Sequence, residues 1–210
     1  MTAFEIVGLG EQAVDYLAAW EHQREVHARV VDGAPDTVLL LEHPPTFTAG
    51  KRTDAHERPA DPGGAPVIDV DRGGKITFHG PGQVVAYPIV RLEEEARDLH
   101  GFLAALEDAL MRTVGDFGLE GHRDSRNTGC WVGGRKIASV GVAVRKWVTY
   151  HGLALNISTD LSEFRRFDPC GLDPEVMTSM EKELGGAPAM DEVKASLTTR
   201  LRETLGEDRS

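Results

Sequence analysis

The chain has 210 residues, 40% apolar and 27% charged, with 23 Gly, 11 Pro and only two cysteines, a composition that excludes a disulfide-framed, collagen-like or disordered protein. Its 34 acidic residues against 23 basic ones leave a formal net charge of -11, which excludes broad electrostatic attachment to nucleic acid or anionic membrane and leaves room only for local basic patches. No apolar run approaches the roughly 18 residues of a membrane span, and MTAFEIVGLGEQAVDYL lacks the basic and apolar regions of a signal peptide, so a cytoplasmic protein with a single domain over 1–210 is expected.

Glu5 to Val7 reads as a short strand, and a helix from Glu11 to Val31 follows, with Val14, Leu17, Ala18 and Trp20 on its apolar side and DGAP as its stop. Thr37 to Glu42 is an apolar strand ended by Pro44 and Pro45. Residues 58–66, RPADPGGAP, have the composition of a surface loop. Glycine turns then separate three β-rich runs, Val67 to Asp71, Lys75 to His79 and Val84 to Val90. A helix spans Asp98 to Phe117, where Leu99, Phe102, Leu103, Leu106, Leu110, Val114 and Phe117 recur at helical spacing before Gly118. KIASVGVAV and VTYHGLALNI predict two adjacent strands, and a last helix carries Val193, Leu197, Leu201 and Leu205 ahead of Gly206. Strands cluster instead of alternating regularly with helices, which predicts an α+β domain with a mixed, largely antiparallel sheet.

Several segments bear on chemistry. VGLGEQA, Val7 to Ala13, imitates the opening of a dinucleotide-binding unit, but the acidic residue expected about 20 residues later is missing, and the motif is read as a strand-to-helix turn. Neither Gly50-Lys51 nor Gly74-Lys75 is followed by Ser or Thr, so no phosphate loop of that type is present. Histidines and cysteines do not fall at zinc spacings, and no metal or other cofactor is expected.

DRGGKITFHGPGQ, Asp71 to Gln83, combines four glycines with Arg72, His79 and Gln83. A hairpin turn and a ligand site both use such a composition; close backbone approach and a few directional polar groups favour the site. Lys136 enters an apolar strand as either a snorkelling cation or a proton donor and acceptor. Cys170 sits between Pro169 and Gly171, where a stiff backbone and a missing side chain open the sulfur to a carbonyl. A free thiol has a pKa of about 8.5; a cation lowering it by about two units, worth about 2.7 kcal/mol, makes thiolate the majority form. Cys130, beside Trp131, reads as packing.

Taken together, LLEHPPTFTAG, RGGKITFHGPGQVVAYP, GCWVGGRKIASVGV and HGLALNISTDLSEFRRFDPCG resemble the lipoyl(octanoyl) transferase family of lipoate biosynthesis over about four fifths of the chain. The resemblance implies the fold shared with biotin and lipoate protein ligases, an acyltransferase needing no cofactor, and catalysis by Cys170, as carrier of an acyl thioester, with Lys136 as its partner. It implies substrate-binding segments at Arg72, Gly73, Gly74, Lys75, Ile76, Thr77, Phe78 and His79, at Ser139, Val140 and Gly141, and at Gly152, Leu153 and Ala154. The implied donor is octanoyl-acyl carrier protein, and the implied acceptors are lipoyl domains of 2-oxoacid dehydrogenase complexes or the glycine cleavage protein. An ATP-dependent lipoate or biotin ligase of the same fold is the alternative, and it gives Cys170 no task. Cys130 and Phe167-Asp168 depart from the family pattern without touching the cysteine or lysine. Arg145, Lys146, Arg165 and Arg166 are the candidate docking groups for acidic partners.

Overall fold

A computed structural model describes residues 4–8, 13–92, 97–167 and 173–206, the first five by their backbone alone. Among the described residues nine strands form two sheets. The larger runs β1 (Phe4–Gly8), β2 (Asp36–Leu41), β6 (Gln83–Ile89), β9 (Val148–Asn156), β8 (Arg135–Arg145), β7 (Gly129–Val132); β1 is parallel to β2 and every other pair is antiparallel. The smaller places β3 (Thr46–Ala49) between β4 (Val67–Asp69) and β5 (Thr77–His79). The expected mixed, largely antiparallel α+β architecture is the one observed. None of its described helices is long and apolar enough to cross a membrane.

Strand alternation divides the core. Val38 and Leu40 of β2, Val84 and Ala86 of β6, and Leu153 and Leu155 of β9 face one way. They are covered by α2 (Leu99–Asp116) and α4 (Met190–Leu205), whose Phe102, Leu106, Leu110, Val193, Leu197 and Leu201 are fully or nearly fully buried. Leu39, Leu41, Val85 and Tyr87 face the other way, onto α1 (Tyr16–Val31). The small sheet gathers a third cluster, Phe47, Ile76, Phe78, Phe164, Phe167 and Met177.

The stripes expected in α2 and α4 are the buried ones, except that Leu103 and Phe117 are half-buried and Leu99 is exposed. α1 departs from expectation in two ways. It begins at Tyr16, because the Asp15 carboxylate accepts from the Ala18 N–H at 3.0 Å and caps the first turn. Its buried face is Tyr16, Ala19, Gln23, Val26 and Val30, whereas Leu17 is 54% exposed and Ala18 is exposed. Apolarity misassigned this face: Gln23 can be inside because its Oε1 accepts from the His151 N–H. β3 and β7 are strands beyond those expected, and β4 and β5 are shorter than the runs that announced them. A short helix, α3 (Met180–Leu184), precedes α4.

Candidate active site

β8 and β9 form the longest hairpin, with Ser139 opposite Ala154, Gly141 opposite Gly152 and Val142 opposite His151. A cavity of about 550 Å³ lies along this pair, closed on the other side by the glycine-rich turn before β5. Arg72, Gly73, Gly74, Lys75, Ile76, Thr77 and His79 line it, together with Ser139 to Gly141, Gly152 to Ala154, and Lys136. The structure thus brings thirteen of the fourteen expected binding residues to one wall system, with the Gly73 N–H docked on the Val142 carbonyl at 2.9 Å. Phe78 is the exception. It lies between Thr77 and His79 on a strand, so its ring faces the opposite side and packs on Phe47 and Phe164 at 5.2 and 5.9 Å between centroids. Cys170 lies outside the described residues, as does part of the VGLGEQA turn.

Lys136 is no rim residue: it is 4% exposed. Its Nζ donates to the Asn127 Oδ1 at 2.6 Å, and its backbone carbonyl accepts from the Thr178 N–H at 2.9 Å. The loop carrying Asn127 is fixed from several directions. The Asn127 carbonyl accepts from Trp131 Nε1 at 3.0 Å, the Arg126 guanidinium lies over the same indole at 4.2 Å, and Glu107 of α2 accepts the Gly129 N–H at 2.8 Å. Gly129 has φ +146, and a Cβ there would lie 2.1 Å from the Ala138 carbonyl oxygen and 3.1 Å from Lys136 Cε, so only glycine lets β7 close against the lysine. Cys130 behaves as packing: it is fully buried, and burial, reinforced by the Glu107 charge, pushes its thiol up to about 12.

The opposite wall is a polar network of one guanidinium and uncharged rings and amides. Arg72 Nη2 donates to the Thr48 carbonyl and hydroxyl at 2.7 and 3.0 Å, and its Nη1 holds the Lys75 carbonyl at 2.7 Å, which shapes the glycine turn around one guanidinium. Gln83 Nε2 donates to Asn156 Oδ1 at 2.9 Å and to the Phe78 carbonyl at 3.2 Å, so its Oε1 must accept from His79 Nδ1 at 2.8 Å. Asn156 in turn donates to the Thr178 carbonyl at 3.0 Å. His43 donates from Nδ1 to the Val14 carbonyl at 2.7 Å and accepts the Tyr87 hydroxyl at Nε2, also at 2.7 Å. Burial drives His79 down to about 3 and His43 down to about 4, and lifts the Tyr16 hydroxyl to about 12. At neutral pH these rings are uncharged.

At the far end of the hairpin, His151 and Tyr150 share one carboxylate. His151 Nε2 donates to Asp71 Oδ1 at 2.9 Å and the Tyr150 hydroxyl to Oδ2 at 2.6 Å. The hydrogen bond from His151 is the main reason that the Asp71 carboxyl is held down at about 2. Burial lowers the pKa of His151 against the pull of Asp71. Its φ is +56, a left-handed backbone in the middle of a strand.

The sequence offered no spacing that would select Tyr16, His43, Tyr87 or Asn127, because each reaches the site from a different element. Arg145 and Lys146, expected at a docking surface, sit at the tip of the β8–β9 turn. Arg145 is nine residues from Lys136 on the same strand, about 30 Å at about 3.3 Å per residue. Arg165 and Arg166 are paired with Glu175 and Glu163 at 2.7 and 2.8 Å.

The lipoyl protein ligase A/B catalytic domain model matches residues 15–202. The chain is 47% identical over 207 residues to an octanoyltransferase of Thermobifida fusca, covering 94% of this chain and 87% of that one. Among solved structures it is similar to lipoate-protein ligase A bound with ATP, with a TM-score of 0.76 at 15% identity, covering 96% of this chain and 84% of the other. Biotin protein ligase from Aquifex aeolicus in complex with biotin and ATP aligns with a TM-score of 0.59 at 13% identity, over 96% and 70% of the two chains. At such identities the two structures speak for the fold alone.

Proposed function

This chain belongs to the lipoyl protein ligase A/B catalytic domain family and is an octanoyltransferase of protein lipoylation, and we propose that it works through an acyl thioester on Cys170 with Lys136 as proton carrier. The observation that carries this reading is a buried lysine on the wall of a cavity with room for an acyl chain, its Nζ held by the neutral Asn127 amide. A cation on that wall lowers the pKa of a thiol brought beside it and favours the thiolate.

In the first half-reaction the Cys170 thiolate attacks the octanoyl thioester of acyl carrier protein. The bond to the carrier sulfur breaks, a bond to Cys170 forms, and the carrier thiolate leaves. One thioester replaces another, so no nucleotide is consumed. Acylation removes the negative charge beside Lys136, which gives its proton to the departing carrier thiolate and is left as a neutral amine. In the second half-reaction the amine of a lipoyl-domain lysine, near pKa 10.4 when free, attacks the thioester carbonyl. The amide forms, the Cys170 thiolate departs, and Lys136 accepts the proton that the amine loses. The acceptors are lipoyl domains of 2-oxoacid dehydrogenases or the glycine cleavage protein, the compartment is the cytoplasm, and residues 1–210 act as one catalytic domain.

Intact mass after incubation with octanoyl-acyl carrier protein tests this. A gain of one octanoyl group mapped to Cys170, lost in Cys170→Ser, is expected. Lys136→Ala should slow both half-reactions by about 10²- to 10⁴-fold. Full activity in either variant, or activity only with free octanoate plus ATP, would defeat the assignment.

A further inference from the structure

The charges of the cavity are one-sided. Arg52, Arg72, Lys75, Arg126 and Lys136 line it, and among the described lining residues there is no Asp or Glu, although acids outnumber bases 34 to 23 in the chain. A cleft lined by one sign of charge concentrates ligands of the other sign. The octanoyl chain and its thioester are neutral, so the anion that this lining selects belongs to another part of the donor. The cavity is also larger than an eight-carbon chain requires, since about 550 Å³ encloses a drug-sized ligand.

The five cations differ in what already engages them. Lys136 and Arg72 are buried, one on the Asn127 amide and the other within the glycine turn. Lys75 is paired with Glu57 and lies 3.9 Å from Asp54, and Arg126 holds Asp124 at 2.7 Å. Arg52 is exposed at the mouth, and its side chain makes no hydrogen bond or ion pair among the described residues. Its backbone is fixed nonetheless, because the Arg52 N–H donates to the Gly74 carbonyl at 3.1 Å. The result is a guanidinium presented at the cavity entrance with its planar fork of donors available, a geometry that matches phosphate oxygens.

Register sets the distance from this entrance to the chemistry. Gly73, next to Gly74, docks on Val142, which is six residues along β8 from Lys136, or about 20 Å at about 3.3 Å per residue. A carrier-bound thioester hangs from a phosphopantetheine arm with about thirteen bonds between phosphorus and sulfur, which span about 16 Å at about 1.2 Å per bond of extended chain. Contacts of about 3 Å at either end, phosphate to guanidinium and sulfur to ammonium, cover the rest. A sulfur delivered beside Lys136 therefore leaves the phosphate at the Arg52 entrance.

We propose that Arg52 is a binding residue for the phosphate of the acyl donor's phosphopantetheine arm, so that the cavity selects a phosphorylated pantetheine thioester over the same thioester without its phosphate. This rests on the octanoyl-transfer reading of the cavity. Arg52 touches the arm of the donor and not the reacting atoms.

The test compares kcat/KM for octanoyl-pantetheine and octanoyl-phosphopantetheine in the wild-type protein, Arg52→Ala and Arg52→Lys. The wild-type protein should prefer the phosphorylated donor about tenfold or more, and the preference should shrink as salt is raised. Arg52→Ala should bring the two donors close to parity, and Arg52→Lys, which keeps the charge without the fork, should retain part of the preference. Equal use of both donors by the wild-type protein, or a preference that survives in Arg52→Ala, would overturn the proposal. Calorimetry with phosphopantetheine and with AMP, neither of which carries an acyl group, identifies the source of the phosphate. Binding of phosphopantetheine that weakens in Arg52→Ala is expected; binding of AMP alone at Arg52 would overturn the assignment in favour of a nucleotide. Phosphopantetheine binding that depends on Arg52, with no transfer from either donor, would leave the subsite standing and fault the octanoyl-transfer reading instead.

Discussion

The two faces of the large sheet are made by the same alternating strands and have opposite contents. Under α2 and α4 the cover is nearly all apolar, with Phe102, Leu106, Leu110, Leu197 and Leu201 closing on Val38, Val84 and Leu155. Under α1 the buried set includes Tyr16, Gln23, His43, Tyr87 and His151, joined by hydrogen bonds instead of by packing alone. The first face stabilises at about 25 cal/mol per Å² of apolar surface withdrawn from water. The second gives up part of that gain to hold uncharged donors and acceptors in set directions around a cavity, and it is stable only while every ring keeps its protonation state.

The sharpest separation of the two is Leu197→Ala. Removing a fully buried leucine from the α4 face should cost about 2–5 kcal/mol in chemical denaturation while leaving kcat per folded molecule unchanged. A large fall in kcat would mean that the aliphatic face is part of the active machinery.

Next in size is the pH response of the α1 face. His43 and His79 titrate at about 4 and about 3 in the folded chain, against about 6.5 in an unfolded one. Between these values the unfolded state binds protons that the native state refuses, so stability rises with pH and is lost as pH falls below about 6.5. The slope is at most about 1.4 kcal/mol per pH unit per histidine, acting down toward pH 4. His79→Gln should remove one share of that slope in denaturation curves recorded from pH 7 to pH 5. An unchanged slope would show that the polar face does not govern acid stability.

The smallest effect is expected at the tip of the β8–β9 turn. Arg145→Ala combined with Lys146→Ala should change kcat/KM for carrier-bound octanoate less than twofold, because the pair stands about 30 Å along β8 from Lys136. A severalfold, salt-dependent fall would restore the basic turn as a docking surface.

Much of the first face was legible in the chain. Leucines and valines spaced by three and four residues announce α2 and α4, and buried leucines are where that pattern puts them. The glycine-rich turn and the runs at 139–141 and 152–154 were legible as site segments, through their motif resemblance, and all of them reach one cavity. Phe78 was carried into the site by adjacency in sequence, which a strand's two-residue period contradicts. The buried side of α1 was misread because Tyr16 and Gln23 look like surface residues until their partners from β6 and β9 are known.

What the sequence determined by itself was therefore the set of local periods, the architecture they force, and the list of chemically able residues, since apolar spacing and turn chemistry act over a few neighbours. Only the tertiary structure decided that Asn127 holds Lys136 and that Asp71 leaves His151 an empty acceptor. It also decided which face of α1 turns inward. Whether a polar group can be buried depends on what stands within about 3 Å of it, and those neighbours come from strands and helices that the chain connects only after scores of intervening residues.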